Sequence, residues 1–494
     1  MSEDTLTQIR TQGERLFSSL EREFYSNLRG LSKKSSLEDI YNSHREFGEP
    51  GLFKSINGLL TAEDGNNAGL KLLSAFLAET FVMSRASSLT DRVLSLESSS
   101  VLKIGKKRIP YRSATQNILN EPNKQKRDEI QNHRTEAQEK LIPYLLEILY
   151  VTAGASESLG YSNYSELKEY ADGVDITSLS NEAKLFIRDT DYISKEMLDW
   201  FFTRRMGFPL KDSNSADVAF MLNSFELKAA YSEKDYTVCA AKVLDDSGLV
   251  NSTHVSVDSE KRKGKAPGGI FFPILPPFEM AVSIFPAGGP ADYEYYFGAL
   301  GRALSYAFTD RGDDFEYRCL RDPVQTEIFS ELFKNLIFER KWLDRYIDFE
   351  RGEDFYKLLF LRRLMCAREE ARRLIYEVAL YSGESIDNLQ DTYKEIMEEA
   401  LHTRVSGLDF LTTEDIREPL RSVSRFKACL IEPCLSKRLR ETYDEEWWRE
   451  KDAGVELKNI WSEGGRYRSD EVSGTSGFDG TAAELRRVFE RELS

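Results

Sequence analysis

Apolar residues recur at three- and four-residue steps along most of this chain, and this spacing predicts long amphipathic helices. The first predicted helix runs from Ser2 to Gly30 and the second from Gly65 to Ser98, each with a regular apolar face. The same pattern predicts further helices in these ranges: Asn120 to Ser156, Asp175 to Arg205, Thr326 to Phe349, Asp354 to Tyr381, Ser385 to Thr403 and Thr412 to Tyr443. The predicted fold class is therefore mainly α.

Short alternating segments predict a small amount of β structure. Val101 to Tyr111 alternates in this way and predicts a hairpin. Ile270 to Ile274 and Met280 to Phe285 predict two strands, and the Pro276-Pro277 pair between them suits the edge of a small sheet. The polar stretch from Lys242 to Gly269 is rich in turn formers and predicts a surface connection.

Two further predicted helices, joined by a polar loop, carry the candidate chemistry. The first turns an apolar face inward, and its neighbouring stripe carries Gly298, Ala299 and Arg302. The second carries Glu327 and Glu331 four residues apart on one face. These side chains are the candidate site residues of the chain.

These positions have the layout of a zinc-peptidase site from which most metal ligands are missing. Such a site needs two His four residues apart on one helix, a Glu beside the first His as general base, and a carboxylate from a second helix. Here the HExxH window reads Gly298-Ala299-Leu300-Gly301-Arg302, and only the carboxylate Glu327, 29 positions after Gly298, is present. The sequence predicts no catalytic residue at this site, and no zinc or other cofactor.

The surroundings of this window resemble zinc peptidases of the thimet oligopeptidase and oligopeptidase F type, which are gluzincins, and their angiotensin-converting-enzyme-like relatives. Gly264 to Ala307 is similar to the region that leads into their zinc helix, and Val324 to Leu332 is similar to their third-ligand helix. By this resemblance the chain is identified as a member with a degenerate HExxH motif. The resemblance implies a two-lobed, mainly helical ellipsoid with a deep interlobe channel and a small β-sheet at the cleft.

The resemblance also implies how the chain is divided. Residues 1–245 are expected to form an N-terminal helical lobe and residues 246–494 a C-terminal lobe, together one peptidase-like unit. The C-terminal lobe is expected to contain the sheet, at about 252–286, and the degenerate zinc-site helices at 290–309 and 322–349.

A second catalytic element is also predicted to be missing. In these peptidases, a helix in the last third of the chain brings tyrosines to the cleft, where they stabilise the tetrahedral intermediate. The corresponding positions carry Arg421 and Arg425, and the segment Ser422 to Leu435 contains no Tyr.

Composition and charge argue against some classes of binding partner. The chain has 83 acidic and 67 basic residues and a net charge of −16, which argues against nucleic acid and anionic membranes as general partners. The N-terminus has no apolar signal core, and no stretch approaches the ~18 apolar residues of a membrane helix. Five cysteines form no CxxC pair. We interpret the chain as a cytoplasmic protein whose oligomeric state the sequence leaves open.

The chain has four histidines that could serve as alternative metal ligands. His133 follows Glu129 by four residues and His402 follows Glu399 by three, the latter a spacing used in carboxylate-bridged metal sites. A solvated, charged helix face explains both pairs, and it is the favoured interpretation.

Arg302 leads to a specific hypothesis about the vacated metal position. If the fold is kept, its guanidinium group meets Glu327, and an ion pair replaces the metal contact. In the alternative, Arg302 lies on a solvated face and pairs with nothing. Together with Arg421 and Arg425, it could instead form a basic pocket for an anionic ligand such as a peptide carboxylate.

The predicted function is binding by a catalytically inactive, peptidase-like protein. The cleft would hold a peptide, a protein partner or an anionic ligand, or the chain would serve as a subunit of an assembly. The alternative is an enzyme that uses Glu327 or Glu331 for acid-base chemistry without zinc, with Arg302 orienting an anionic substrate. A residual metallopeptidase with displaced ligands is a third possibility.

Overall fold

The computed structural model describes residues 2–62, 67–233, 235–250, 254–383, 386–411, 416–472 and 481–493. Within these residues the chain is mainly α-helical, as the apolar spacing predicts. Gly65, Ser385 and Thr412, at which three predicted helices begin, lie outside the described residues.

The described helices before residue 250 include all four predicted ones, and seven further described helices lie outside the predicted ranges. The helices of this part of the chain are α1 (Glu3–Leu28), α2 (Leu37–Ser43), α3 (Pro50–Ala62), α4 (Ala68–Ser99), α5 (Ala114–Asn120), α6 (Lys124–Glu139), α7 (Ile142–Leu159), α8 (Tyr164–Asp172), α9 (Ile176–Asp189), α10 (Asp191–Phe201), α11 (Ser215–Leu222), α12 (Phe225–Ala230) and α13 (Tyr236–Asp246).

Three helices that were predicted to be continuous are broken, and the one predicted over 326–349 divides into helices Pro323–Asn335 and Arg340–Tyr346. The helix predicted over 120–156 divides into α6 and α7. Pro143 lies in the first turn of α7, where a backbone N–H would have no partner within the helix, so proline is tolerated there. The helix predicted over 175–205 divides at Thr190, whose hydroxyl donates a hydrogen bond to the Phe186 carbonyl at 2.7 Å. Apolar spacing continues across the latter two breaks, so it does not reveal them.

The helices after residue 285 surround the candidate site. They are α14 (Pro290–Ala307), α15 (Phe315–Cys319), α16 (Pro323–Asn335), α17 (Arg340–Tyr346), α18 (Glu353–Tyr381), α19 (Ile386–Leu401), α20 (Ser422–Thr442), α21 (Lys451–Ser462), α22 (Ser469–Val472) and α23 (Ala482–Leu493).

The described residues form two small sheets. The first is the predicted hairpin of β1 (Val101–Ile104) and β2 (Lys107–Pro110). The second contains β3 (Val255–Asp258), β4 (Gly268–Leu275) and β5 (Glu279–Phe285) in the order β3-β5-β4. Strand β4 pairs antiparallel with β5, and β3 pairs parallel with β5. As predicted, β4 lies at an edge of this sheet.

The predicted surface connection between residues 242 and 269 is more ordered than its polar composition suggests. It supplies β3, and it buries the side chain of Lys265. The Lys265 ammonium donates hydrogen bonds to the carbonyl oxygens of Asp258, at 2.8 Å, and Glu260, at 3.0 Å. It also donates to the Asp258 carboxylate at 3.2 Å, which balances the buried charge, so a polar segment can enter the interior here.

Two large hydrophobic cores lie on either side of α18 and α20. Leu361 of α18 and Leu435 of α20 belong to one core, while Leu364 and Leu430 belong to the other. The first core draws on α10 to α14, β5, α16 and α21, and the second on α1, α3, α4, α9, α19 and α23. Each core contains residues from both halves of the sequence, and the division into lobes at residue 245 stays a prediction.

Among the described residues, no helix combines the length and the apolar character that crossing a membrane requires. All five cysteines are free thiols.

Candidate functional site

A glycine turn and a buried carboxylate fix the start of α14. Gly288 and Gly289 both have positive φ, 83° and 81°, a conformation that favours glycine. The Asp292 carboxylate accepts hydrogen bonds from the backbone N–H groups of Ala287, at 2.6 Å, and Gly288, at 3.0 Å. Burial raises the pKa of Asp292 to about 6, although these two donors oppose the shift.

Helix α14 is buried on nearly all sides, whereas the sequence predicts a single inward face. All of its residues except Tyr295 and Ala307 are buried, so the stripe that carries Gly298, Ala299 and Arg302 also lies in the interior. The difference arises because α14 packs against α16, β4 and β5 at once.

A buried ion pair ties α14 to α18. The Arg362 guanidinium donates two hydrogen bonds to the Glu294 carboxylate, at 2.5 and 2.6 Å. Both side chains are 9% exposed, so the pair is largely shielded from water. It therefore restrains the position of α14 relative to α18.

Two glycines of the HExxH window allow α14 to approach α16 closely. A Cβ atom on Gly301 would lie 2.1 Å from the Phe329 carbonyl oxygen, which is a backbone atom and cannot move aside independently. A Cβ atom on Gly298 would lie 3.1 Å from the Ser330 hydroxyl oxygen. The close contact brings the next turn of α14 opposite Glu327.

Arg302 forms a buried, two-point ion pair with Glu327. The Arg302 Nε donates to Glu327 Oε1 at 3.0 Å and to Oε2 at 3.1 Å, and Nη2 donates to Oε2 at 2.6 Å. The two side chains are 9% and 4% exposed. The ion pair that the sequence suggests is thus present, and the solvated alternative for Arg302 is wrong.

Arg421 places a second guanidinium group on the same carboxylate. It immediately precedes α20, and its Nη2 donates to Glu327 Oε1 at 2.8 Å. Arg425, one turn further along, donates from Nη1 to Glu370 Oε1 at 3.3 Å. We name Arg302, Glu327 and Arg421 the arginine–glutamate cluster.

The electrostatics of the arginine–glutamate cluster follow from burial and from these contacts. Burial alone would raise the pKa of the Glu327 carboxyl, but the surrounding guanidinium groups hold it well below its usual range. Burial lowers the pKa of Arg302, against the effect of Glu327. An arginine nevertheless stays protonated at neutral pH, so the cluster holds one negative and two positive charges.

The other candidates lie near this cluster or away from it. Glu331, one turn beyond Glu327 on α16, accepts a hydrogen bond from the Lys334 ammonium. His133 Nδ1 lies 2.9 Å from Glu136 Oε2, and it is Glu136 rather than the predicted Glu129 that contacts this ring.

His402 follows the end of α19 and its side chain is 8% exposed, so the solvated helix face expected for it is wrong. Its Nε2 lies 2.8 Å from the Ser194 hydroxyl and 3.4 Å from the Arg368 guanidinium. Burial lowers the pKa of His402 to about 4, and the charge of Arg368 adds to this effect.

The donor set of the arginine–glutamate cluster does not fit the zinc ion that the peptidase resemblance implies. Both Glu327 oxygens already accept hydrogen bonds from guanidinium groups, and a permanent cation occupies position 302. Gly298 and Ala299 offer no ligand or base, and catalytic zinc takes three protein ligands. Throughout the part of the chain that the structure describes, no group of three or more His, Cys, Asp or Glu is arranged to hold a metal ion.

Sequence reasoning identified the members of the cluster but not all of their partners. Glu418 Oε2 lies 3.7 Å from Arg421 Nε, and its other oxygen, Oε1, lies 3.6 Å from the buried Lys168 ammonium. The three-residue spacing of Glu418 and Arg421 is the available sequence signal for the first contact. Nothing local indicates the second, because Lys168 is about 250 residues away along the chain.

Comparison with known proteins gives the fold but not the family. No protein-family model matches the chain, and no curated protein matches it. Solved structures do match. A Bacillus anthracis strain Ames protein described as an oligoendopeptidase F is 14% identical with a TM-score of 0.64, over 92% of this chain and 85% of that one.

Two further structures match over nearly the whole chain. PZ peptidase A with an inhibitor is 15% identical with a TM-score of 0.67, over 100% of this chain and 97% of that one. Another protein described as an oligoendopeptidase F is 14% identical with a TM-score of 0.72, over 99% of this chain and 92% of that one. The chain therefore has the fold of these metallopeptidases.

Proposed function

We propose that this protein keeps a peptidase fold but binds peptides or protein partners instead of hydrolysing them. The observation that carries the proposal is the arginine–glutamate cluster, in which Arg302 and Arg421 occupy both oxygens of Glu327. On this proposal, the chain is a member of the oligopeptidase-like group in which the HExxH motif has degenerated.

The chemistry of the cluster supports a loss of hydrolysis. Peptide hydrolysis at such a site requires a Lewis acid to polarise the carbonyl group and a base to activate water. Position 299 carries a methyl group in place of the base, and Arg302 brings a positive charge to the position that a metal cation would take. The same charge repels a divalent cation, and the low dielectric of a buried site strengthens that repulsion.

The acid-base alternative receives less support from this geometry. A group that exchanges protons at neutral pH needs a pKa near 7, whereas the pKa of Glu327 is held well below its usual range. Glu331 is engaged by Lys334. A free anionic ligand would also have to compete with Glu327 for Arg302 and Arg421.

Binding of an extended peptide is the form of the proposal that the fold supports best. The peptidase resemblance implies that the edge of the small sheet pairs with the backbone of an extended peptide. In this chain β4 lies at that edge and packs against α14, the helix that carries Arg302. A peptide held there would lie beside the cluster without meeting a metal-activated water.

A library of quenched fluorescent peptides tests the proposal in two measurements on the same protein. We expect no turnover above that of the Glu327→Gln variant, with or without added zinc, and saturable binding of some library members by fluorescence anisotropy. Turnover that disappears both with a chelator and in Glu327→Gln would contradict the loss of hydrolysis. A failure of every library member to bind would contradict peptide binding and leave a role as a protein scaffold.

A further inference from the structure

A polar cavity lies further along α20 from the arginine–glutamate cluster. Its volume is about 320 Å³, and Glu432, Pro433 and Arg440 of α20 line it together with Arg363 of α18 and Val488 of α23. This size falls within the range of about 300–1,000 Å³ that is typical of small-molecule sites. Because a helix rises ~1.5 Å per residue, Glu432 lies roughly 16 Å from Arg421 along the helix axis.

Most charged groups around this cavity are paired with one another. Arg440 Nη2 donates to Glu339 Oε1 at 2.6 Å, and Arg363 forms an ion pair with Glu492. At the rim, Lys437 Nζ lies 3.7 Å from Glu441 Oε1. In these pairs, the positive charges of Arg440, Arg363 and Lys437 are balanced by carboxylates.

Glu432 differs from these groups because its carboxylate has no cationic partner within ion-pair distance among the described residues. The residue is 3% exposed, and its Oε2 accepts a hydrogen bond from the neutral Asn335 amide at 2.8 Å. Burial raises the pKa of Glu432, and the more distant charges of Arg363 and Arg440 only oppose that shift. A buried carboxylate in this state is costly unless a further donor reaches it.

We propose that this cavity binds an alkylammonium cation whose –NH₃⁺ group donates a hydrogen bond to Glu432. An ammonium group provides a compact charge and three donors, and its hydrogen bond to a carboxylate is of the strong, charge-assisted kind. Val488 and Pro433 provide apolar surface for the methylene stem. A single unpaired carboxylate is too few ligands for a metal ion, which takes several oxygen donors.

Two sources can supply this chemistry: a free polyamine, or a lysine side chain of another protein. The test therefore uses spermidine for the first source and Nα-acetyl-lysine methylamide, which keeps the side-chain ammonium group, for the second. Nα,Nε-diacetyl-lysine methylamide, which has no ammonium group, is the matched neutral control compound. All three are titrated into the full-length protein by isothermal calorimetry at constant ionic strength.

Three variants localise the binding. Glu432→Gln keeps the size and the Asn335 hydrogen bond but removes the charge, so binding should weaken at least about tenfold, the loss expected with a charge-assisted hydrogen bond. Val488→Trp fills the cavity and should weaken binding while leaving the carboxylate intact. Glu196→Gln removes an exposed carboxylate of α10 that does not line the cavity, and it should leave the affinity unchanged.

The titrations distinguish the two sources of the ammonium group. Binding of spermidine alone assigns the cavity to free polyamines, and binding of the lysine derivative alone assigns it to a partner's lysine. Equal affinity in Glu432→Gln and in the unmodified protein, equal binding of the neutral control, or no saturable binding of either amine at millimolar concentration would overturn the proposal. Circular dichroism of each variant establishes that it is folded.

Discussion

Two buried glutamates on neighbouring helices, Glu327 of α16 and Glu432 of α20, have opposite electrostatic surroundings. Each residue as a whole is 3% exposed to solvent. Glu327 receives hydrogen bonds from two guanidinium groups, whereas Glu432 receives one from a neutral amide. The pKa of Glu327 is accordingly lowered and that of Glu432 is raised.

This contrast shows that burial does not by itself decide what a carboxylate can do. Burial raises the pKa in both cases, and the partners determine the net direction. At Glu327 the chain supplies its own cations, which leaves no oxygen free for a metal. At Glu432 the part of the chain that the structure describes supplies none within ion-pair distance, and we propose that a ligand supplies the cation.

The largest effect is expected from removing the charge of Glu327. Glu327→Gln leaves Arg302 buried without the carboxylate that it pairs with, and breaking a buried ion pair on one side costs about 3–5 kcal/mol. Chemical denaturation at pH 7 measures this loss. The matched control is Glu441→Gln, the same chemical change at a side chain that is 67% exposed, where the expected cost is about 0–1 kcal/mol.

The loss should depend on pH in a specific direction. Because the folded-state pKa of Glu327 is depressed, its contribution is fully present above the unfolded-state value of about 4.3 and fades as the pH falls below it. The stability difference between Glu327→Gln and the unmodified protein should therefore stay constant from pH 7 to about pH 5. A difference that already vanishes in that interval would mean that the carboxylate is not held by the two arginines.

Removing Arg302 should cost less than removing Glu327, because Arg421 stays on the carboxylate. We expect Arg302→Ala to lower the free energy of unfolding by roughly 3 kcal/mol, the lower end for a buried pair. Arg188→Ala serves as the control, since the Arg188 side chain is 69% exposed and pairs with the adjacent Asp189. Equal melting temperatures for the two variants would count against a buried Arg302–Glu327 pair.

The close contact that positions Arg302 can be tested by adding one methyl group. In Gly301→Ala the new Cβ would lie 2.1 Å from the Phe329 carbonyl oxygen, so α14 and α16 must separate. Overpacking of this kind typically costs about 1–3 kcal/mol. Gly154→Ala is the control: it lies within α7 with no atom near its Cβ position, and it should gain roughly 0.5–1 kcal/mol in thermal or chemical unfolding.

The smallest effect is expected at Glu432, and its sign is opposite. Because the folded-state pKa is raised, the ionised carboxylate opposes folding at pH 7, and Glu432→Gln should increase the free energy of unfolding by on the order of 1 kcal/mol. The gain should disappear as the pH falls below about 4.3, where the carboxyl is protonated in both states. A destabilised Glu432→Gln at pH 7 would show that the carboxylate already has a cationic partner.

Local sequence pattern predicted the parts of this molecule that depend on neighbours along the chain. The apolar spacing located most of the longer helices, and the degenerate HExxH window together with Glu327 located both halves of the Arg302–Glu327 pair. The 29-residue offset between Gly298 and Glu327 is the pattern that connected them.

Contacts between segments that are far apart in the chain could not be predicted from the local sequence pattern. The parallel pairing of β3 with β5 and the link from Glu418 to Lys168 depend on tertiary approach. The role of Gly301 also depends on how closely α16 approaches, which a glycine in a helical pattern does not specify. That no described cation forms an ion pair with Glu432 cannot be predicted from the sequence, because it depends on how the distant helices pack.

We propose that guanidinium groups have taken the place of a metal at Glu327. The most direct test is the zinc content of the protein after equilibration with excess zinc and removal of free metal, measured beside the Glu327→Gln variant. We expect no stoichiometric zinc in either protein. Stoichiometric zinc in the unmodified protein that is lost in Glu327→Gln would contradict it.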